Sequence, residues 1–486
     1  MKFLEPLDLQ GMVIPNRVMV PAMVTRLADE EGWVTQEIQD RYVRYAKGGV
    51  GLIVVEAMAI HHSNAGPLLR ISDQKFVPGL AEMVKQIHGA SDSKVVPQII
   101  HFMKISKSGW RQTVDMLSHE DIDTIVEQFG DAVARAREAG FDGAELHAAH
   151  AYTLSSFLSR RNMRKDEYGG SMEGRLRILG RVVESVRRKA GADFPVGIRI
   201  LADEFITDGS TVSDSKLIAL RMAQLGLAYI SLSVGGKFED AEHAAGQVPH
   251  PYNGYSGDRC MPGAQYPAAL HAGLTREIKA FLNAKGYQVP VAGAGKISDP
   301  DDAERVLADG SMDFVGIARG LLADPDWVLK VARGEIDRIV KCDYCNVCKH
   351  LDGAHKKVVC FLWPKGMMQA PDDNAQGSAP GWPNGSANLR VGLNGDTATL
   401  QWDKAEGAAR YDVYRASDDG DVVIEDAVKV TRWMDNSILG GLTYRYYVRA
   451  CSASGQAGAP SNVVMIKPDG PSVERDREAD RAPAMA

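Results

Sequence analysis

Gly143-Ala-Glu-Leu-His-Ala-Ala149, then an amphipathic stretch from Glu173 to Lys189, then Pro195-Val-Gly-Ile-Arg-Ile200 read as one strand–helix–strand unit. Both flanking runs are short, apolar and bounded by small or polar residues, as strands covered on two faces are. Between them Leu176, Leu179, Val182, Val183 and Val186 recur at three- and four-residue spacing, the stripe by which a helix packs on a sheet. The same unit repeats through the first two thirds of the chain. The further runs are Val18 to Met23, Gly51 to Ala57, Val95 to His101, Tyr229 to Gly235, Val289 to Gly295 and Phe314 to Ala318, and Gln36 to Lys47 is one of the helices between them. Ser118-His-Glu-Asp121 and Ser298-Asp-Pro-Asp301 carry the hydroxyl and first-turn carboxylates of helix starts. Strands that each hand over to a helix pair in parallel, and eight units over about 330 residues fit a closed α/β barrel, a (β/α)8 TIM barrel. An open doubly wound sheet is the rival on pattern alone.

The chain has 486 residues, 45% of them apolar, which is too long for one ordinary domain. After Val340 the composition changes. Residues 341–368 hold four cysteines, and 369–388 are rich in Gly, Ser, Pro, Asn and Asp, a linker. From 389 to 467 the apolar period becomes two, as in Ala398-Thr-Leu-Gln-Trp402, which predicts a small antiparallel sandwich. Residues 468–486 are charged and poor in large apolar side chains, and are expected to be disordered. The barrel itself is expected over residues 1–340. The net charge is −7 with both signs interspersed, so neither nucleic acid nor an anionic membrane is the expected partner. The first residues lack the apolar core of a signal peptide, and no run of about 18 apolar residues occurs, so a cytoplasmic chain is expected.

In a parallel barrel, chemistry gathers where strands end. Strand one ends in Pro21-Ala22-Met23, strand three carries Gln98 and His101, and strand four runs into Glu145-Leu-His147-Ala-Ala-His150-Ala-Tyr152. Strand five carries Arg199. Strands seven and eight end in Gly293-Ala-Gly295-Lys296 and Gly316-Ile-Ala-Arg319, small residues beside a base. Backbone amides can approach a phosphate there, and a guanidinium can bind it through two bonds. A cofactor with a phosphate at one side and a polar ring at the centre accounts for the whole set. Taken singly, His147 and His150 read more often as satisfied core groups, and an ordinary ion pair is the minor alternative for Arg199 and Arg319. Asp203, Glu204 and Asp208 read as a solvated acidic loop, Cys260 and Cys451 as plain buried thiols, and Asp166 and Arg175 as structural.

The block Glu145 to Tyr152, with Phe157-Leu-Ser and Asn162-Met-Arg-Lys-Asp-Glu-Tyr-Gly-Gly-Ser171, resembles the signature of the old yellow enzyme family. Asn16-Arg17-Val18, Ser72-Asp73, Gln98 with His101, and Gly320-Leu-Leu-Ala-Asp-Pro325 extend the resemblance from residue 1 to about 365. It implies FMN at the barrel mouth. Ala22, Met23, Val24 and Ala57 would line the ring, Gln98 would bond its pyrimidine edge and Arg199 would sit near N1. Gly295, Lys296, Ala318 and Arg319 would hold the phosphate. His147 and His150 would bind a substrate carbonyl and Tyr152 would donate a proton, the outfit of an ene-reductase for α,β-unsaturated carbonyls or acyl-CoA thioesters with NADH or NADPH as reductant.

Cys342-x2-Cys345-x2-Cys348-x11-Cys360 suits either [4Fe–4S] or Zn²⁺ by its chemistry. Its place behind such a barrel resembles the iron–sulfur branch of the family, the dienoyl-CoA reductases, enoate reductases and trimethylamine dehydrogenases, which implies the cluster. The spacing is similar to the amine dehydrogenases, whereas His147 is similar to the reductases. In the loop after strand six, the second catalytic His of dienoyl-CoA reductases has no match; His243, His250, Lys237 and Tyr255 are the substitutes nearby. No strand–GxGxxG–helix unit follows Cys360, which points to an external electron-transfer protein or to direct reduction by NAD(P)H. C–N oxidation and a flavin-bearing binding module are the competing functions. Trp402, Tyr411 and Leu442-Thr-Tyr444-Arg-Tyr446 resemble a fibronectin type III domain, with Tyr444 as its tyrosine corner, suited to docking or to a homo-oligomer.

Overall fold

The computed structural model describes residues 1–61, 66–104, 112–236, 259–371, 379–418, 422–453 and 456–469. The chain opens with an antiparallel hairpin, β1 (Leu7–Leu9) and β2 (Met12–Ile14), which the periodicity did not predict. Eight strands follow: β3 (Val18–Val20), β4 (Leu52–Ala59), β5 (Lys94–Ile100), β6 (Ala144–Ala148), β7 (Val196–Leu201), β8 (Ile230–Ser233), β9 (Val291–Gly293) and β10 (Phe314–Gly316). They pair in parallel in sequence order, and β10 closes on β3, so the barrel and not the open sheet is the fold. Each lies within or against a predicted run. β3 is shorter than predicted because Pro21 follows, and proline has no N–H to continue a ladder. Leu9, Met12 and Ile14 of the hairpin pack with Met19, Leu52, Val96, Tyr229 and Phe314 inside the barrel. The hairpin thus stoppers the N-terminal end of the strands, and the C-terminal end opens into a cavity.

The surrounding helices are α1 (Gln36–Lys47), α2 (Val77–Ala90), α3 (His119–Glu138), α4 (Thr153–Leu158), α5 (Met172–Ala190), α6 (Val212–Gln224), α7 (Ala272–Ala284), α8 (Pro300–Ala308), α9 (Arg319–Ala323) and α10 (Trp327–Ala332). Ser118 and Asp121 form the reciprocal cap expected at the start of α3. At α8 the cap is Asp299, not Ser298. The Ser298 hydroxyl is bonded instead to Tyr344, and its carbonyl accepts from Trp327 Nε1 at 2.7 Å. Among the described residues no helix is long and apolar enough to cross a membrane.

The chain divides into two compact units, Met1–Pro371 and Asp372–Ala486. The first includes the cysteine segment, with a short helix α11 (Val347–Gly353). Leu322, Val358 and Trp363 form a satellite core there, against which Met23, Cys348 and Cys360 pack. The described residues of the second unit are built mainly of β-strands. β11 (Arg390–Asn394), β12 (Thr397–Gln401) and β15 (Arg432–Asp435) form one antiparallel sheet. β13 (Arg410–Ser417), β14 (Val422–Val428), β16 (Tyr444–Cys451), β17 (Ala457–Pro460) and β18 (Val464–Ile466) form the other. Leu400 and Trp402 meet Tyr411, Val413, Tyr446 and Val448 in one core between them. The Tyr444 hydroxyl accepts from Leu439 N at 2.7 Å, a side chain turned back onto the preceding corner.

Candidate active site

The cavity at the barrel mouth is walled by the ends of the strands and by the cysteine segment. Ala22, Met23, Val24 and Ala57 form an apolar wall, Gln98 and Arg199 a polar one, and Gly295, Lys296, Ala318 and Arg319 a basic end. His147, His150 and Tyr152 line the same space. Residues spread over nearly 300 positions therefore converge because each lies on or just after a strand of one closed barrel.

The polar wall is a pre-bonded network. Gln98 donates from Nε2 to Glu145 Oε1 at 2.7 Å, and Tyr229 donates to Oε2 at 3.1 Å. Arg199 donates to Ser231 Oγ at 2.8 Å and acts on Glu145 through its charge. Burial raises the Glu145 carboxyl above its ordinary range, while Arg199 and both donors pull it back. Holding the Gln98 amide nitrogen on Glu145 settles which way that amide faces, leaving its oxygen to accept from a ligand.

His147 and His150 stand edge to face with centroids 5.1 Å apart, and Tyr152 meets the His147 ring at 5.0 Å. His150 and Ala151 both have left-handed backbone, φ of 58° and 57°, so the chain turns sharply to present both rings. Burial pushes the His147 imidazole down to about 3, with Arg199 adding to it, and holds His150 well below its ordinary value. Both rings are neutral at physiological pH. His147 Nδ1 accepts from Ala149 N at 3.2 Å, which puts the proton on Nε2 as a donor. His150 Nε2 pairs with Ser233 Oγ at 2.7 Å.

At the basic end, Gly295 has φ of 114°, and a Cβ there would meet the His271 ring at 2.4 Å. Only glycine lets this turn bring its backbone to the cavity wall. Lys296 Nζ and the Arg319 guanidinium both lie over the Tyr344 ring, at 4.9 and 4.8 Å. Burial and the neighbouring Arg319 hold the Lys296 amine below its ordinary value. Two bases against one ring, beside a glycine turn, give this end of the cavity the positive charge that suits an anion.

Residues 2–115, 103–250 and 264–337 match the profile of the NADH:flavin oxidoreductase / NADH oxidase family. The chain belongs to that family. It is 33% identical over 362 residues to the NADH oxidase of Thermoanaerobacter brockii, covering 69% of this chain and 52% of that protein. It is 30% identical over 366 residues to the N,N-dimethylglycine/sarcosine dehydrogenase of Chromohalobacter salexigens, covering 71% and 50%. This flavin oxidoreductase thus spans about half the length of both relatives. A 2-naphthoyl-CoA reductase structure superposes with a TM-score of 0.66 at 22% identity, covering 79% of this chain and 59% of that one, a likeness of fold. The apolar wall, the polar network and the basic end fit a flat, phosphate-bearing flavin such as the family uses.

The four cysteines lie together in the first unit, with Cys342 and Cys348 acting on the others through their charge. Burial pushes Cys342 up to about 12 and raises the other three. Four thiolates can share so buried a place only around a cationic centre. Tyr344 N points at Cys342 Sγ and Leu362 N at Cys360 Sγ, both at 3.4 Å. Cys348 also lines the cavity. Tyr344, between two of the cysteines, is shared by the basic end and the thiol segment.

Several side chains of this oxidoreductase stand elsewhere than the sequence indicated. His101 is not among the lining residues; its Nδ1 pairs with Thr153 Oγ1 at 2.7 Å and anchors the start of α4. Glu204 is not solvated. It is buried, accepts from Ser159 Oγ at 2.9 Å, and ties the loop after β7 to the region after β6. Cys260 is no plain core thiol, since it lines the cavity. Arg175 and Asp166 are structural: Arg175 donates to Leu158 O at 2.8 Å, and Asp166 pairs with Arg164. Lys237, His243, His250 and Tyr255, named for the loop after the sixth barrel strand, lie outside the described residues. Sequence reading missed Thr25, Arg41, Tyr42 and Tyr45 in the cavity wall. Two arginines and two tyrosines on the buried face of α1, where aliphatic residues are usual, were the available signal.

Proposed function

We propose that this chain reduces the C=C bond of an α,β-unsaturated carbonyl or enoyl thioester, with FMN lying across the barrel mouth. Ala22, Met23, Val24 and Ala57 would face its ring, Gln98 and Arg199 its polar edge, and Gly295, Lys296, Ala318 and Arg319 its phosphate. When bound, the flavin supplies the hydride. His147 and His150 hold the substrate carbonyl oxygen, where negative charge grows, and as neutral imidazoles they stabilise it by donation. Tyr152 delivers a proton to the α-carbon. The observation that carries this reading is the pair of neutral imidazoles packed with a phenol in a cavity whose far end is basic.

Cys342, Cys345, Cys348 and Cys360 are proposed to hold a [4Fe–4S] cluster rather than zinc. The place of the four cysteines directly behind a flavin-family barrel supports the cluster, since their spacing alone suits either centre. Electrons would come from NADH or NADPH, or from an external electron-transfer protein through the cysteine segment, in a cytoplasmic protein. The fibronectin type III-like reading of the second unit rests on the Tyr444 corner. Oxidation of C–N bonds is the second reading, favoured by the cysteine spacing and by the dehydrogenase relative.

The test is anaerobic mixing of the dithionite-reduced protein with enones, enoyl-CoAs and tertiary amines. Reoxidation of the flavin by the first two, with saturated product formed, is expected. Inertness to them, together with bleaching of the oxidised flavin by amines, would replace this reading with the second.

A further inference from the structure

Glu56 plays no part in anything described above, and its position is unusual. It lies on β4 at the one register irregularity between β4 and β5, where Val55 faces Pro97 and Ala57 already faces Gln98. An extra residue of this kind re-aims its side chain beside functional sites. Glu56 is fully buried. Its Oε2 accepts from Thr25 N at 3.1 Å and from the Tyr42 hydroxyl at 3.2 Å, and the Tyr42 oxygen accepts from Glu56 N at 2.7 Å. Its Oε1 is buried with no hydrogen-bond partner among the described residues.

Thr25 and Tyr42 both line the cavity, so the carboxyl sits directly behind its wall. The same wall abuts the cysteine segment, since Thr25 O accepts from Val358 N at 2.8 Å. The charged and titratable groups acting on Glu56 come from α1. Arg41, bonded to the carbonyls of Val358 and Met368, favours the charged form, as does the Tyr42 donor, whose own phenol is raised in turn by the Glu56 charge. Tyr45, on the same face, acts on Tyr42. Burial outweighs the rest and lifts the carboxyl to about 7. A group poised between its two forms answers to any charge placed nearby.

We propose that Glu56 is a redox-linked proton site, taking up one proton when an electron is placed on the flavin or cluster beside it and releasing it on reoxidation. The proposal rests on the cofactor reading above. The step balances simply: the electron comes from dithionite or NAD(P)H, the proton from solvent, and the only bond made is O–H on the carboxylate. The negative charge of reduction strengthens the hold on that proton, and the proton in turn stabilises the reduced state.

The test uses the full chain carrying flavin and iron, poised electrochemically on either side of neutrality. Infrared difference spectra should show a protonated carboxyl C=O band rising on reduction above neutral pH, absent from Glu56→Gln. The reduction equilibrium of the responding one-electron couple should fall tenfold per pH unit above neutrality, 59 mV in potential. That slope should be missing from Glu56→Gln relative to the native chain. Should that variant not fold, Tyr42→Phe removes a donor to the charged form and should move the onset of the slope to higher pH. An unchanged slope, an unchanged onset or no carboxyl band in protein loaded with both cofactors overturns the Glu56 proposal alone. Protein that takes up neither flavin nor iron overturns it together with the cofactor reading.

Discussion

Tyr152 and His147 illustrate how one side chain can be tested apart from its neighbours. Phe at 152 keeps the edge-to-face contact with His147 and removes only the hydroxyl. Tyr152→Phe is expected to slow reoxidation of reduced flavin by an enone about 10²–10⁴-fold while leaving flavin reduction by NAD(P)H within about twofold. Stopped-flow measurement of the two half-reactions checks this, and equal loss in both would remove the donor role. The histidines make a pH prediction with a definite sign. Burial holds His147 near 3 and depresses His150, so between about pH 3 and 6.5 the unfolded chain binds protons that the folded chain does not. Stability from these groups is complete above pH 6.5 and is lost as pH falls. Chemical denaturation at stepwise lower pH should therefore show a steeper loss for the native chain than for His147→Gln.

At the scale of the element, the N-terminal hairpin and the β9 turn have separable jobs. Leu9 is fully buried inside the barrel floor. Leu9→Ala should cost about 2–5 kcal/mol of stability, by lost burial and a cavity, while the visible spectrum of bound flavin stays as it was. Gly295→Ala should do the reverse. A Cβ there strains the positive φ and strikes His271, for a stability cost of about 1–3 kcal/mol, but its main effect is to disturb the turn at the basic end. Flavin dissociation, followed by fluorescence on dilution, should quicken by more than tenfold. A tightly held flavin in Gly295→Ala would take the phosphate away from this turn.

For the whole molecule, the question is whether the barrel and the cysteine segment are one functional unit. Met23 belongs to the proposed ring wall and also packs against the satellite core with Cys348 and Cys360. Cys345→Ser, at a cysteine that is not among the cavity-lining residues, should abolish iron and acid-labile sulfide while about one flavin per chain remains, since the residues proposed to hold it are untouched. Metal and flavin analysis of the purified variant checks both halves. Retained zinc with no iron in the native chain would reverse the cluster assignment.

By itself the sequence determined the eight strand–helix units, the order of their strands and the polar residues at the strand ends, while closure into a barrel over an open sheet was decided by the pairing of β10 with β3. Doubly covered strands read as apolar runs, and a polar residue set into the C-terminal half of such a run marks a site position, as at Gln98, His147 and Arg199. Those signals are local, and local pattern survives folding. Contacts that depend on closure were decided only in three dimensions. Strands of three residues such as β1 and β2 are too short to show a period, so the barrel stopper was invisible. Whether a polar side chain faces the cavity or a neighbour depends on what lies across from it, often hundreds of residues away, as Arg41 does from Val358. That is why His101 turned to Thr153, why Glu204 was buried, and why a single added residue in β4 placed Glu56 behind the cavity wall.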